Sequence, residues 1–204
     1  MSRSARRWTS VSLVLCALAL GACRTLPPAV RTPWVQQRAA LQSLDQFALR
    51  GQLAAASSGG GFSAALSWQQ TGATADAWLR APLGLGGAHL IYDGADLQWT
   101  ASDGVALDGV AAHGAVVSAL GFEPPLASLR YWLLGVPDPS LPKQESLDSQ
   151  QRLSTLTQAG WRIEYGNYER GSYTVTGEMW LPASIVLQRD AWRLKLHVAH
   201  WQLP

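Results

Sequence analysis

Leu20-Gly21-Ala22-Cys23 is the segment of this chain with recognisable covalent chemistry. A leucine at −3, two small residues and then a cysteine form the arrangement in which a thiol receives a diacylglycerol and the chain is cut just before it. Arg3, Arg6 and Arg7 supply a positive leading region, and residues 11–20 a short apolar run. That run is about ten residues, against roughly twenty for a spanning helix. It reads as a removed export signal rather than a membrane span, the alternative being an ordinary secretory signal that happens to end near a cysteine. The predicted organisation is a signal at residues 1–22, a lipidated Cys23 with a tether over residues 23–32, and one domain over residues 33–204. In Gram-negative lipoproteins an Asp after the cysteine commonly retains the protein at the inner membrane. Arg24 stands there instead, so the expected address is the periplasmic face of the outer membrane, anchored through Cys23.

Other reactive groups are sparse. His197 and His200 are three apart in a strand-like run, so they are expected to face opposite ways and not to share a metal. His89 and His113 have no Cys, His or Glu cluster in nearby sequence. No serine sits in a G-x-S-x-G elbow. Gly84-Leu85-Gly86-Gly87 lacks the strand–helix context of a phosphate-binding loop. Glu145 and Asp148 read as a solvated loop rather than an acid–base pair. No enzyme activity, metal or cofactor is expected.

Removing the signal leaves 182 of the 204 residues and takes away three of 16 basic side chains, none of 14 acidic ones and one of two cysteines. Formal charge then moves from +2 to −1. The chain's basic character belongs to the signal and gives no support for a nucleic-acid partner. With Cys23 acylated, the domain has no disulfide and must fold on its core alone, which a chain of this size can do.

Residues 24–32 hold Pro27 and Pro28 and little that packs. Extended, those nine residues span roughly 30 Å. Thr32-Pro33 suits a helix start, and Trp34, Leu41, Leu44 and Ala48 recur at helical spacing, predicting a helix near residues 33–45. Period-two alternation then predicts strands near residues 47–53, 62–68, 75–81, 88–92 and 97–100. Gly- and Asp-rich breaks at about ten-residue intervals separate them, as in an antiparallel meander. Residues 112–120 and 125–134 read as helices, the second ended by Gly135 and Pro137. Strand patterning returns at 151–157, 161–165, 173–180, 184–189 and 192–201, with a bulge or strand end near Ala199 where the inward parity switches. The fold class is mainly β with a few helices (α+β), most simply a curved antiparallel sheet wrapped round those helices.

Nine tryptophans remain after the signal is removed. Two readings fit them: a large aromatic core, or the lining of a partly unfilled concave face that holds lipid, for which rigid aromatics are suited. Leu83 also has two readings. It lies in Pro82-Leu83-Gly84-Leu85-Gly86-Gly87, a turn where polar residues are usual. Either it folds back on the core or it forms an exposed membrane-touching finger.

Several segments together resemble the outer-membrane lipoprotein receptor family LolB. They are Leu20-Gly21-Ala22-Cys23, Trp34 with the helix to Leu44, Phe47-Ala48-Leu49-Arg50-Gly51, Trp68-Gln69-Gln70 and Pro82-Leu83-Gly84. Pro125-Leu126-Ala127-Ser128-Leu129-Arg130-Tyr131-Trp132-Leu133-Leu134-Gly135 follows. Gly160-Trp161 through Tyr165, Gly166 and Tyr168, then Leu194-Lys195-Leu196 and Trp201, complete the series. The resemblance implies an incomplete β-barrel whose open concave side is covered by helices around an apolar cavity. Proteins of this kind take lipoproteins from the periplasmic carrier LolA and place them in the outer membrane. The expected partners are therefore a LolA-type carrier, lipoprotein acyl chains and outer-membrane lipid, with the receptor itself a monomer. The insertion loop would be Pro82, Leu83, Gly84 and Leu85. The acyl-chain cavity would be lined from Trp34, Phe47, Leu49, Phe62, Leu66, Trp68, Trp99, Leu129, Trp132, Leu133, Trp161, Trp192 and Leu194. This chain departs from the pattern after the finger, where Leu85 and Gly86-Gly87 make a longer, looser and more apolar tip. A structural outer-membrane lipoprotein with a filled core is the alternative.

Overall fold

The computed structural model describes residues 34–171 and 179–204. The chain divides into a unit at Met1–Thr32 and a compact unit at Pro33–Pro204, and all described residues belong to the second. Cys23, the signal, the tether and most of the strand expected at 173–180 lie outside the described residues.

Eleven strands form one antiparallel sheet in the order β6-β5-β4-β3-β2-β1-β11-β10-β9-β8-β7. One arm runs β1 (Gln46–Ser57), β2 (Gly60–Thr71), β3 (Thr74–Arg80), β4 (Gly87–Tyr92), β5 (Leu97–Ala101) and β6 (Ala106–Asp108). The other runs β7 (Gln144–Leu147), β8 (Leu153–Gln158), β9 (Trp161–Gly171), β10 (Met179–Arg189) and β11 (Trp192–Gln202). Both arms are hairpin chains, and the pairing of β1 with β11 welds them. The edge strands β6 and β7 do not pair with each other, so the barrel stays incomplete. Their shortness limits the unpaired backbone they expose.

Strand alternation places the core. Along β2, Ala64, Leu66, Trp68 and Gln70 are buried, while Ala65 and Gln69 between them are exposed. The inward residues of both arms join Ala112 and Val116 of α2 (Gly109–Leu120) and Leu126, Trp132 and Leu133 of α3 (Leu126–Leu133) in one cluster. These helices therefore cover the concave side. Gly121 ends α2 in the left-handed region at φ 79°, its N–H bonded to the Val117 carbonyl at 2.7 Å. Helix α1 (Trp34–Gln42) is tied to the second arm by Gln37 to the Trp180 carbonyl at 3.0 Å and an Arg38–Glu145 ion pair at 2.8 Å. Ala48, grouped by spacing with the α1 stripe, instead lies in β1 on the outer side. Glu145 sits in β7 rather than in a loop. The Gln144–Leu147 stretch carries almost no apolar alternation, so its strand state comes from pairing with β8.

A polar latch holds α3. The buried Gln158 side chain accepts from Trp132 Nε1 at 2.8 Å and from the Asp138 N–H at 3.0 Å. Its Nε2 donates to the carbonyls of Asp138 at 2.8 Å and Leu141 at 3.0 Å. Asp138 in turn accepts from Ser128 Oγ at 2.8 Å and Ser140 Oγ at 2.7 Å. Replacing Gln158 by Leu leaves buried donors and acceptors unpaired, at roughly 1–3 kcal/mol for the worst of them. We expect Gln158→Leu to cost about 3 kcal/mol, a fall of roughly 10 °C in thermal midpoint for a domain this size. An unchanged melting curve would show that the latch does not hold α3.

Candidate functional site: an apolar hollow and an exposed loop

Between the sheet and the α2–α3 segment lies a cavity of about 100 Å³ with a wholly carbon lining. The sheet contributes Leu53, Leu66, Trp68, Ala77, Leu79 and Leu90 from one arm, and Trp161, Leu187, Leu194 and Leu196 from the other. Leu120, Phe122, Pro124, Pro125, Leu126, Leu129 and Leu133 close it from the helical side. Phe122 meets the edge of Trp161 at 5.6 Å between centroids and tilts against Trp192 at 5.3 Å.

Of the aromatics and leucines expected around a cavity, Leu66, Trp68, Leu129, Leu133, Trp161 and Leu194 line this one. Trp34, Phe47, Leu49, Trp99 and Trp132 lie in the packed core around it. Phe62 is half-buried near the start of β2, and Trp192 is half-buried beside Phe122. The lining also includes residues the sequence reading did not single out. Ala77, Leu79, Leu90 and Leu187 occupy inward strand positions that alternation marks. Leu120 is the last residue of α2, and Phe122 and Pro124 lie in the irregular connection that follows it, which carries no periodic signal.

The β3–β4 connection is a short turn of 3-10 type at Pro82–Gly84. It is closed by Ala81 N–H to the Gly86 carbonyl at 2.9 Å and Leu85 N–H to the Pro82 carbonyl at 3.2 Å. Leu83 does not fold back on the core: it is 96% exposed, and Leu85 80%. Leu83 also has φ 57° and ψ 21°, a left-handed conformation that costs a residue with a Cβ roughly 1–2 kcal/mol. Two unfavourable features thus coincide, bare apolar area and backbone strain, as is common at sites held for function.

Titratable chemistry is not assembled here. Among the described residues no three His, Cys, Asp or Glu side chains come together as metal ligands. His197 and His200 both face outward, contrary to the alternation expected of them. The bulge at Ala199 shifts the register between Arg50↔His200 and Gly51↔Val198 and puts both on the outer side. Burial pushes the phenols of Tyr165 and Tyr168 up from their usual value, so both stay neutral. No described helix is long and apolar enough to cross a membrane.

Fold and site together define a class: an unclosed antiparallel barrel, helices across its concave side, an apolar hollow between them and a bare leucine on a strand turn. The family profile described as "Outer membrane lipoprotein LolB" matches residues 45–201. The outer-membrane lipoprotein LolB of Nitrosococcus oceani is 33% identical over 97% of this chain and 99% of its own length. That of Chromohalobacter salexigens is 30% identical over 98% of this chain and 92% of its own. The chain belongs to the LolB family of outer-membrane lipoproteins. A crystal structure of a DUF1329 family protein from Desulfovibrio piger shares the fold alone, with TM-score 0.51 and 7% identity over 83% of this chain and 90% of that one.

Proposed function

We propose that this chain is an outer-membrane lipoprotein receptor. In this reading it accepts the acyl chains of mature lipoproteins from a LolA-type periplasmic carrier and passes them into the inner leaflet of the outer membrane. Membership of the LolB family supports a role in lipoprotein localisation and an outer-membrane address. The observation that carries the finer reading is the carbon-lined cavity beneath α2 and α3, with no polar group that would do chemistry on what it holds. Cys23 carries the protein's own lipid, and the segment after it is the tether.

The physical problem is the water between two membranes. Burying a methylene gains roughly 0.8 kcal/mol, so a sixteen-carbon chain crossing bare costs on the order of 10 kcal/mol. Two apolar cavities meeting mouth to mouth remove that barrier without a nucleotide. Direction then needs only tighter binding by receptor than carrier, and by bilayer than receptor. At about 100 Å³ the hollow is smaller than the roughly 300–1,000 Å³ of ordinary ligand pockets. Loading therefore moves the Leu120–Leu126 connection and α3 outward from the sheet.

Transfer of a lipoprotein from LolA to this protein and then to liposomes tests the proposal directly: no acceptance from the carrier ends it. The cavity is tested separately. A fluorescent fatty-acid analogue is expected to bind saturably, and Ala77→Leu, which fills the hollow from β3, to weaken it about tenfold without lowering the thermal midpoint. Unchanged affinity in that variant would place the chains elsewhere. No saturable binding in the parent protein would favour a structural lipoprotein with a filled core.

A further inference from the structure

The outer side of β3, just before the finger, carries Trp78 and Arg80. Trp78 is 43% exposed, yet its position is fixed. It stacks on its cross-strand neighbour His89 with centroids 3.8 Å apart and planes at 11°. Asp76 Oδ1 holds His89 Nε2 at 2.9 Å. The Arg80 guanidinium carbon lies 5.7 Å from the Trp78 ring centroid. Beside them, between the finger and the turn after β5, is a cleft of about 280 Å³ lined in part by Trp78, Arg80, Gly86, His89 and Ser102. Among the described residues no carboxylate pairs with Arg80, and Asp76 is already engaged by His89.

We propose that this cleft is a headgroup site that takes the phosphate of a bilayer phospholipid while Leu83 lies among the acyl chains. The proposal rests on the reading of Leu83 as a membrane finger and names what that finger's base does.

Depth supports it first. Arg80 is three residues from Leu83, at most about 10 Å of chain. The interfacial layer of one leaflet is roughly 5–8 Å thick. With Leu83 just inside the hydrocarbon, the guanidinium on its long stem stands at phosphate level. Chemistry supports it next. Guanidinium matches phosphate in shape and charge, and tryptophan prefers the membrane interface, where its ring is sheltered and its N–H is wet. Charge complementarity is the third argument. Arg50 and its cross-strand partner His200 extend the same outer face and are exposed. Neither has a carboxylate partner among the described residues. With the guanidiniums of Arg50 and Arg80 set against the one carboxylate of Asp76, this outer face beside the finger carries a net positive charge and suits an anionic surface. Val105, 53% exposed on the turn that carries Ser102, adds a second apolar contact beside the cleft.

The test uses the acylated protein in phosphatidylethanolamine liposomes, with or without about 20% phosphatidylglycerol, and times lipoprotein delivery into them. The anionic lipid is expected to speed delivery by the parent protein, a gain that about 0.5 M salt removes. Arg80→Gln should lose that gain and run about fivefold slower in the anionic membrane, as the loss of one surface cation implies. Arg80→Lys should restore most of it, which a merely structural role would not do. If Arg80→Gln matches the parent in both membranes, or Arg80→Lys fails as Arg80→Gln does, the headgroup site is overturned. A Leu83→Glu arm separates the two readings. Slow delivery there in both membranes with a normal Arg80→Gln leaves the finger standing and removes only the headgroup site. Normal delivery by Leu83→Glu removes the finger and the site that rests on it.

Discussion

Leu83→Glu is expected to deliver lipoprotein to liposomes at least about 30-fold more slowly than the parent, while taking cargo from the carrier normally. Burying one leucine side chain in hydrocarbon contributes about 2 kcal/mol, and each 1.4 kcal/mol is a factor of ten. Losing the leucine alone accounts for the 30-fold, and forcing a carboxylate toward the acyl chains adds to it. Stability should not move by more than about 0.5 kcal/mol, because a side chain 96% exposed touches almost nothing in the folded protein. Leu83→Gly sharpens the test. It relieves the left-handed strain at φ 57°, so it should raise stability by about 1 kcal/mol while still slowing delivery. A site that is stabilised and disabled by the same substitution is storing strain for function. Delivery at the parent rate by Leu83→Glu would end the idea of a membrane-inserting finger. Because Leu85 is also 80% exposed, the double variant with Leu85→Glu is expected to be slower than either single one.

The largest effect on stability is expected at Gly51. An added Cβ there would meet the backbone carbonyl oxygen of His197 at 2.2 Å, well inside contact distance. The atom it meets is main chain and cannot swing away. The position lies where the bulge at Ala199 slips the β1–β11 register between Arg50 and Gly51. That pairing joins the two arms of the sheet, so separating it opens the core. Gly51→Val should cost about 5 kcal/mol or more, in the range reserved for core disruption, and lower the thermal midpoint by roughly 15 °C. Gly51→Ala is the cleaner variant, because any Cβ meets the same carbonyl. A melting curve for Gly51→Ala that superimposes on the parent's would mean that β1 and β11 do not pair in this register.

Much of the fold was legible because its local signals agree with its tertiary contacts. Strands β1 to β5 show clean alternation, and their turns carry Ser58-Gly59, Gly72, Asp93-Gly94 and Asp103-Gly104 where the chain reverses. Trp201 and Leu203 fall out of parity with Leu194, Leu196 and Val198, and that alone marked the bulge near Ala199. Strict alternation sets His197 and His200 on opposite faces, and the same bulge brings both to the outer side. Strands β6 and β7 carry no local signal because Ala106–Asp108 and Gln144–Leu147 are short edge segments whose state is set by a neighbour.

The site divides in a similar way. Alternation says which side of a strand is inward, and so it marked Leu66, Trp68 and Trp161. Inward, however, means both cavity and core. Trp132 points inward and is consumed by the latch to Gln158, whereas Leu129, three residues earlier, lines the hollow. Only the spacing between sheet and helices decides between those outcomes, and that spacing depends on contacts such as Trp132–Gln158 that lie 26 residues apart. The turn chemistry of Pro82, Gly84 and Gly86 likewise announced a reversal without saying where Leu83 would go. In the folded turn, whose ends are held by the bond between Ala81 and Gly86, Leu83 is 96% exposed. By itself the sequence determined the strand periods, the turns, the family pattern and the expectation of a lipid at Cys23, because these are written in adjacent residues. The tertiary structure decided which apolar side chains meet each other and which are left to meet a hollow or the solvent, because packing is a property of distant residues brought together.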